Sequence, residues 1–336
     1  MSGGRRTLVV GPNWLGDVVM AMPAVQEWRR RNPGAHLAVL ARSGAAAGLW
    51  KMHAAPDEVL EWRGKSVGEA VRLVRAGGYG EAWVIPNSVR SALVPWRAGV
   101  PRRIGAKGHW PRSWLLTETR ETAGEGGTEE HQSVECARLF FGTEGARMAL
   151  EPPHLRAPEE ARKRVEGWLE GAARPWIAMI PGAARGASKQ WPAERYAEAG
   201  RRLAAETGGT VVLLGTAGEA PLCEGVRVAI GAPAVSLAGR TSLAELSGAL
   251  ETADAVLCND SGGMHLAAAM GTPTVAVFGI TNPAQTGPLG ERTRVLQHSE
   301  RRARAVPRVS PEAEAALRRV GADEAAAAVA EFLRGR

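Results

Sequence analysis

Twice along the chain, a short apolar run rich in β-branched residues is followed by a turn of small residues and then by a helical pattern. This alternation leaves little choice of fold. It is the pattern of parallel strands joined by crossover helices, an α/β protein. In the first half, Thr7–Val10 predicts a strand and Val18–Arg31 a helix, closed by Asn32-Pro33-Gly34. His36–Leu40, Val59–Trp62 and Glu81–Ile85 predict further strands, with a helix over Val67–Ala76. The series restarts after Glu151-Pro152-Pro153, with strands at Trp176–Ile180, Thr210–Leu214, Asp254–Cys258 and Thr274–Phe278. Helices are predicted over Pro158–Glu170, Pro192–Thr207, Ser242–Leu250, Ser261–Met270 and Ala322–Leu333. The expected layout is two domains, residues 1–150 and 151–336, with ligands at the carboxyl ends of both sheets. Glu118–Glu130 reads as a mobile loop.

Composition narrows the partners. The chain has 336 residues and a formal net charge of +7, which favours anionic ligands. Arginine dominates that charge, and the five lysines (51, 65, 107, 163 and 189) stand out by their rarity. The three cysteines, Cys136, Cys223 and Cys258, have no metal-ligand spacing and suit a reducing compartment. With neither a signal-peptide core nor an unbroken apolar span in the sequence, a cytoplasmic protein is expected.

Four segments could carry chemistry. Gly11-Pro-Asn-Trp-Leu-Gly16-Asp17 joins the first strand to the first helix. Its glycines permit a tight turn, and Asp17 is either a helix cap or a general base at the sheet edge. Ile180-Pro-Gly182-Ala-Ala-Arg-Gly-Ala-Ser188-Lys189-Gln-Trp-Pro192 brings small residues, a hydroxyl and a rare lysine to a strand–helix junction, a setting for phosphate. Cys258-Asn-Asp260-Ser261-Gly262-Gly263-Met264-His265 runs from strand to helix; Asp260 and Ser261 can cap it while its first N–H groups meet an anion. Asn87–Leu116 holds Arg90, Arg97, Arg102, Arg103, Lys107 and Arg112, with Trp96, Trp110 and Trp114 and no acid. This suits phosphate or carboxylate oxygens, a membrane interface, or a solvated basic face over core tryptophans. Neither G-x-G-x-x-G nor a P-loop is present, and Ser261 is in no G-x-S-x-G elbow.

In this order the segments resemble glycosyltransferase family 9, the lipopolysaccharide heptosyltransferases. The residues that carry the resemblance are Gly11–Asp17, Ile180–Ala183 with Lys189–Pro192, Leu237-Ala-Gly-Arg-Thr-Ser-Leu243 and Asn259–His265. Ile85-Pro-Asn87-Ser88-Val-Arg-Ser-Ala-Leu93 is similar to the type II branch. The resemblance implies a GT-B fold, two Rossmann-like domains facing each other across a cleft, with the acceptor on the N-terminal domain and the nucleotide sugar on the C-terminal one. The implied donor is ADP-heptose, a substrate; no cofactor is implied, and with no Asp-x-Asp the sequence gives no warrant for a metal. The implied acceptor is the inner-core heptose of Kdo-lipid A, reached at the anionic inner face of the inner membrane, with nucleic acid not expected. Carried over, Asp17 is the base. Gly182, Ser188, Lys189, Asp260, Ser261, Gly262, Met264 and His265 bind the donor. Asn87, Ser88, Arg90, Arg102, Arg103, Lys107 and Arg112 face the acceptor. The chain departs from the family where Glu300-Arg-Arg-Ala-Arg304 replaces a cysteine-bearing segment. Type I or III acceptors, and a non-catalytic nucleotide- or RNA-binding protein, are the alternatives.

Overall fold

A computed structural model describes residues 6–64, 66–124 and 130–335. The chain divides into two compact units, Met1–Leu155 and Arg156–Arg336. The strands of the first are β1 (Arg6–Val10), β2 (His36–Arg42), β3 (Glu58–Trp62), β4 (Glu81–Val84), β5 (Arg102–Ala106) and β6 (Glu118–Arg120). They form one parallel sheet in the order β3-β2-β1-β4-β5-β6. The second unit contains β7 (Trp176–Ile180), β8 (Thr210–Leu213), β9 (Ala234–Ser236), β10 (Ala255–Asn259), β11 (Thr274–Val277) and β12 (Thr293–Leu296). Its parallel order is β12-β11-β10-β7-β8-β9, the first sheet's order over again.

The central strands read as uninterrupted apolar runs because helices cover both faces of each sheet. β7, Trp-Ile-Ala-Met-Ile, is buried at all five positions. Leu8, Val10, Leu40, Val74 and Val84 pack one core in the first unit; Ile177, Met179, Leu213, Leu257 and Val329 pack one in the second. Helix Val67–Gly77 ends as the glycines predict, with Gly78 in the left-handed region.

The basic stretch comprises helix Val89–Ala98, strand β5 and the short helix Trp110–Ser113. One expectation needs revision. The expected loop Glu118–Glu130 begins as strand β6, and residues 125–129 lie outside the described residues.

In open α/β sheets, ligands collect where the strand order reverses. That point lies between β1 and β4 in the first unit and between β7 and β10 in the second. The segments leaving these four strands are those in which the sequence places Asp17, Asn87-Ser88, Gly182–Lys189 and Asp260–His265.

Candidate functional site

In the first unit, β1 leads through Gly11 into helix Leu15–Arg31. The capping position belongs to Trp14, with no side-chain cap bond, so Asp17 is not the cap. It lies in the first turn, half-buried, and its Oδ1 accepts a hydrogen bond of 3.2 Å from Gln132 Nε2. Gln132 opens helix Gln132–Phe141, whose cap is His131, the ring accepting from the Ser133 N–H. One turn on, the buried Cys136 thiol is pushed up to about 12, by burial first and then by the negative charges of Glu135 and Asp17. The Asp17 carboxylate therefore acts on the face of this helix. Gly11 has a packing reason: a Cβ there would stand 3.1 Å from the buried indole nitrogen of Trp50.

The basic stretch divides by residue. Ser88 caps helix Val89–Ala98, accepting from Ser91 N–H at 3.1 Å, and Asn87 is exposed beside it. Arg90 stacks over Trp62 and donates to the Gly64 carbonyl at 2.9 Å. Arg102 pairs with Glu81 and Glu118, on the strands flanking its own. Arg103 donates to the carbonyls of Val100, Pro101 and Leu115. Lys107 pairs with Glu121.

Arg112 is 1% exposed, and its guanidinium donates to the carbonyls of Ala106, Val84 and Pro86. Burial lowers its pKa. Arg112 is a structural tie rather than an acceptor contact, and Arg102 and Arg103 are likewise committed internally. Arg97 is exposed and forms no ion pair among the described residues. Trp96, Trp110 and Trp114 are exposed at 38%, 79% and 67%, so they are not core tryptophans; the Trp96 and Trp114 rings lie 5.6 Å apart.

In the second unit, Asn259 at the end of β10 organises the site. Wholly buried, its side chain accepts from Trp191 N–H and donates to the carbonyls of Pro181 and Gly182, which fixes both ends of the loop after β7. Within that loop Ser188 is buried, and its hydroxyl has no hydrogen-bond partner among the described residues. Lys189 Nζ donates to Asp260 Oδ2 at 2.6 Å, both side chains being largely buried. The Asp260 carboxylate is thus held by lysine and does not cap the following helix.

That helix is Gly262–Ala269, with Ser261 at its cap position and no side-chain cap bond. No side chain satisfies its first N–H groups from the cap, the arrangement that favours an anion. Met264 and His265 are buried in its first turns. Gly263 lies against β7, where a Cβ would stand 2.7 Å from Ile180 Cδ1.

Glu219 is a residue the sequence reading passes over. A Cβ on Gly182 would meet its Oε1 at 2.0 Å, so the carboxylate lies directly on the loop after β7. Its other oxygen accepts from the Thr216 N–H and hydroxyl in a capping box. The readable signal is Thr-x-x-Glu directly after a strand. Gln132 left no such signal, because it meets Asp17 across 115 positions of sequence. The Arg-rich segment is main-chain scaffolding here: Ala303 N–H donates to the Ile280 carbonyl, and the Arg308 carbonyl accepts from Ser188 N–H at 3.4 Å.

Chemically, the first unit offers a carboxylate held by a neutral amide. The second offers a lysine–carboxylate pair beside an uncapped helix start, with a second carboxylate at the loop. Among the described residues no group of His, Cys, Asp and Glu is placed to hold a metal, and no helix is long and apolar enough to cross a membrane.

The model of glycosyltransferase family 9 (heptosyltransferase) matches residues 67–315. Lipopolysaccharide heptosyltransferase 2 of Escherichia coli K12 is 32% identical over 307 residues, covering 87% of this chain and 88% of its own length. Its counterpart in Salmonella typhimurium LT2 is 31% identical with the same coverage. The solved structure of E. coli ADP-heptose lipopolysaccharide heptosyltransferase II matches at a TM-score of 0.84 and 28% identity, over 98% of this chain and 99% of that one. A family 9 glycosyltransferase from Veillonella parvula DSM 2008 matches in fold at the same TM-score with 18% identity, over 100% and 99% of the two chains. The fold is GT-B, and the chain belongs to glycosyltransferase family 9, as a heptosyltransferase most like type II.

Proposed function

We propose that the protein transfers L-glycero-D-manno-heptose from ADP-heptose to the inner-core heptose of a Kdo-lipid A acceptor, with inversion at the anomeric carbon. The observation that carries the reading is the Lys189–Asp260 pair beside the uncapped start of helix Gly262–Ala269, at the second sheet's reversal point. Cation and N–H groups together suit a diphosphate.

Residues 151–336 take the donor. Lys189 and the N–H groups from Gly262 onward meet the diphosphate, with Gly182, Ser188, Asp260, Ser261, Met264 and His265 around it. Glu219 accepts from sugar hydroxyls. Residues 1–150 take the acceptor, through Asn87, Ser88, Arg90 and Lys107, with Arg97 added by its exposure. In the reaction, Asp17 accepts the proton of the acceptor hydroxyl. The oxygen forms its bond to the anomeric carbon as the bond from that carbon to the phosphate oxygen breaks. ADP leaves with the electron pair, and Lys189 and the helix N–H groups stabilise its growing charge.

Exposed Trp96, Trp110 and Trp114 beside Arg97 suit the interface of an anionic bilayer, so the protein works in the cytoplasm as a peripheral partner of the inner membrane. Asp17→Asn tests the base: turnover on truncated lipopolysaccharide acceptors, read by mass spectrometry, falls by about 10²–10⁴-fold. ADP affinity by calorimetry stays at the wild-type value. Full turnover in Asp17→Asn overturns the role of Asp17, and an equal rate with UDP-sugars overturns the donor.

A further inference from the structure

We propose that Gln132 is the positioning residue for the Asp17 carboxylate, a role that rests on Asp17 being the base. An aspartate in the first turn of a helix can swing about two torsions, and a base must present one oxygen to the incoming hydroxyl with sub-ångström care. The Gln132 amide supplies the constraint: Nε2 donates to Oδ1 at 3.2 Å and leaves Oδ2 for the acceptor.

The amide is itself firmly placed. It stands on the first residue of helix Gln132–Phe141, which buries Ser133, Cys136 and Ala137 and packs on helix Leu15–Arg31. Both partners of the bond therefore ride on rigid elements within one unit.

The choice of residue type follows from the chemistry. Arginine or lysine at 132 would orient the carboxylate equally well, but the positive charge would stabilise its ionised form and weaken it as a base. A carboxamide orients without adding charge. Glutamate has the same shape but, ionised, offers only acceptor oxygens to a carboxylate.

The test is a double-mutant cycle on the full chain, using ADP-heptose and a truncated lipopolysaccharide acceptor. Gln132→Met keeps the volume of the side chain and removes the donor. It lowers kcat by about 10–100-fold, the cost of a misplaced reacting group, while KM for ADP-heptose stays within about twofold. Gln132→Asn, which keeps the amide one methylene short, falls between wild type and Gln132→Met. In the Asp17→Asn background, adding Gln132→Met changes the residual rate by less than about twofold, because the group it orients has gone.

A wild-type kcat in Gln132→Met overturns the proposal. So does the same fractional loss in both backgrounds, which would place the effect of Gln132 elsewhere than through Asp17. A melting temperature lowered in step with kcat also overturns it, as the mark of a purely structural role. The two readings fail separately: full turnover in Asp17→Asn removes the base, whereas an inactive Asp17→Asn beside a fully active Gln132→Met removes only the positioning.

Discussion

Lys189 and Asp260 show what one residue can and cannot disclose from sequence. The lysine is conspicuous because lysines are rare and because it follows a strand in a loop of small residues. Its partner, 71 positions away, is invisible until the fold brings the loops after β7 and β10 together. The aspartate reads locally as a helix cap, and the pairing removes it from that role. Gln132 and Asp17 repeat the lesson. Local turn chemistry exposes which residues stand at strand ends, whereas a hydrogen bond between distant elements depends on packing that no short window contains. The Lys189–Asp260 pair has a measurable consequence. Lys189→Ala removes the cation from the proposed diphosphate site and leaves a buried carboxylate unpaired. ADP affinity by calorimetry falls at least about tenfold, and stability to urea drops by roughly 3 kcal/mol. Adding Asp260→Asn recovers most of the stability, since the buried charge is gone, but none of the affinity.

At the scale of elements, the legible strands are mostly those buried on both faces; β3, a half-buried edge strand of five residues, is the exception. β1, β2, β4, β7, β8, β10 and β11 are mainly apolar and almost wholly buried. β6, β9 and β12 are sheet edges of three or four residues, mostly half-buried, and their mixed composition gives no period to read. β5 is concealed differently. Its opening Arg102-Arg103 reads as a ligand-seeking charge, but Glu81 on β4 stands directly opposite Arg102 in the register. A window along the chain counts Arg102 as free charge and misses Glu81 and Glu118, which pair with it across the sheet. Arg112 belongs to the same misreading. It gathers three carbonyls from the ends of β4 and β5. Arg112→Met should therefore act on the element and not on the substrate. We expect a loss of about 2–4 kcal/mol in urea unfolding, as buried carbonyls lose their donor, with KM for the acceptor unchanged. A raised acceptor KM with unaltered stability would return Arg112 to the ligand.

Across the whole molecule, the same strand order occurs twice, and each occurrence brings its own residues to its own reversal point. Each unit also closes its own core: helix Ala322–Arg334 packs on the second sheet through Ala325, Val329 and Ala330, as helix Val67–Gly77 does on the first through Val71 and Val74. A unit with its own sheet, core and covering helices has what independent folding requires. The proposed functions should then separate with the units. Residues 156–336, expressed alone, should unfold cooperatively and bind ADP within about tenfold of the full chain, since every group proposed to hold the donor lies within them. They should not bind vesicles of anionic lipid. Residues 1–155 should sediment with such vesicles, weaken in binding as salt rises, and lose it when Trp110 and Trp114 are both replaced by serine, while showing no affinity for ADP. Neither fragment should transfer heptose, because the proposed base and the proposed diphosphate site are on different units. ADP binding by the first fragment, or vesicle binding by the second, would reverse the assignment of donor and acceptor surfaces while leaving the family and the fold as they are.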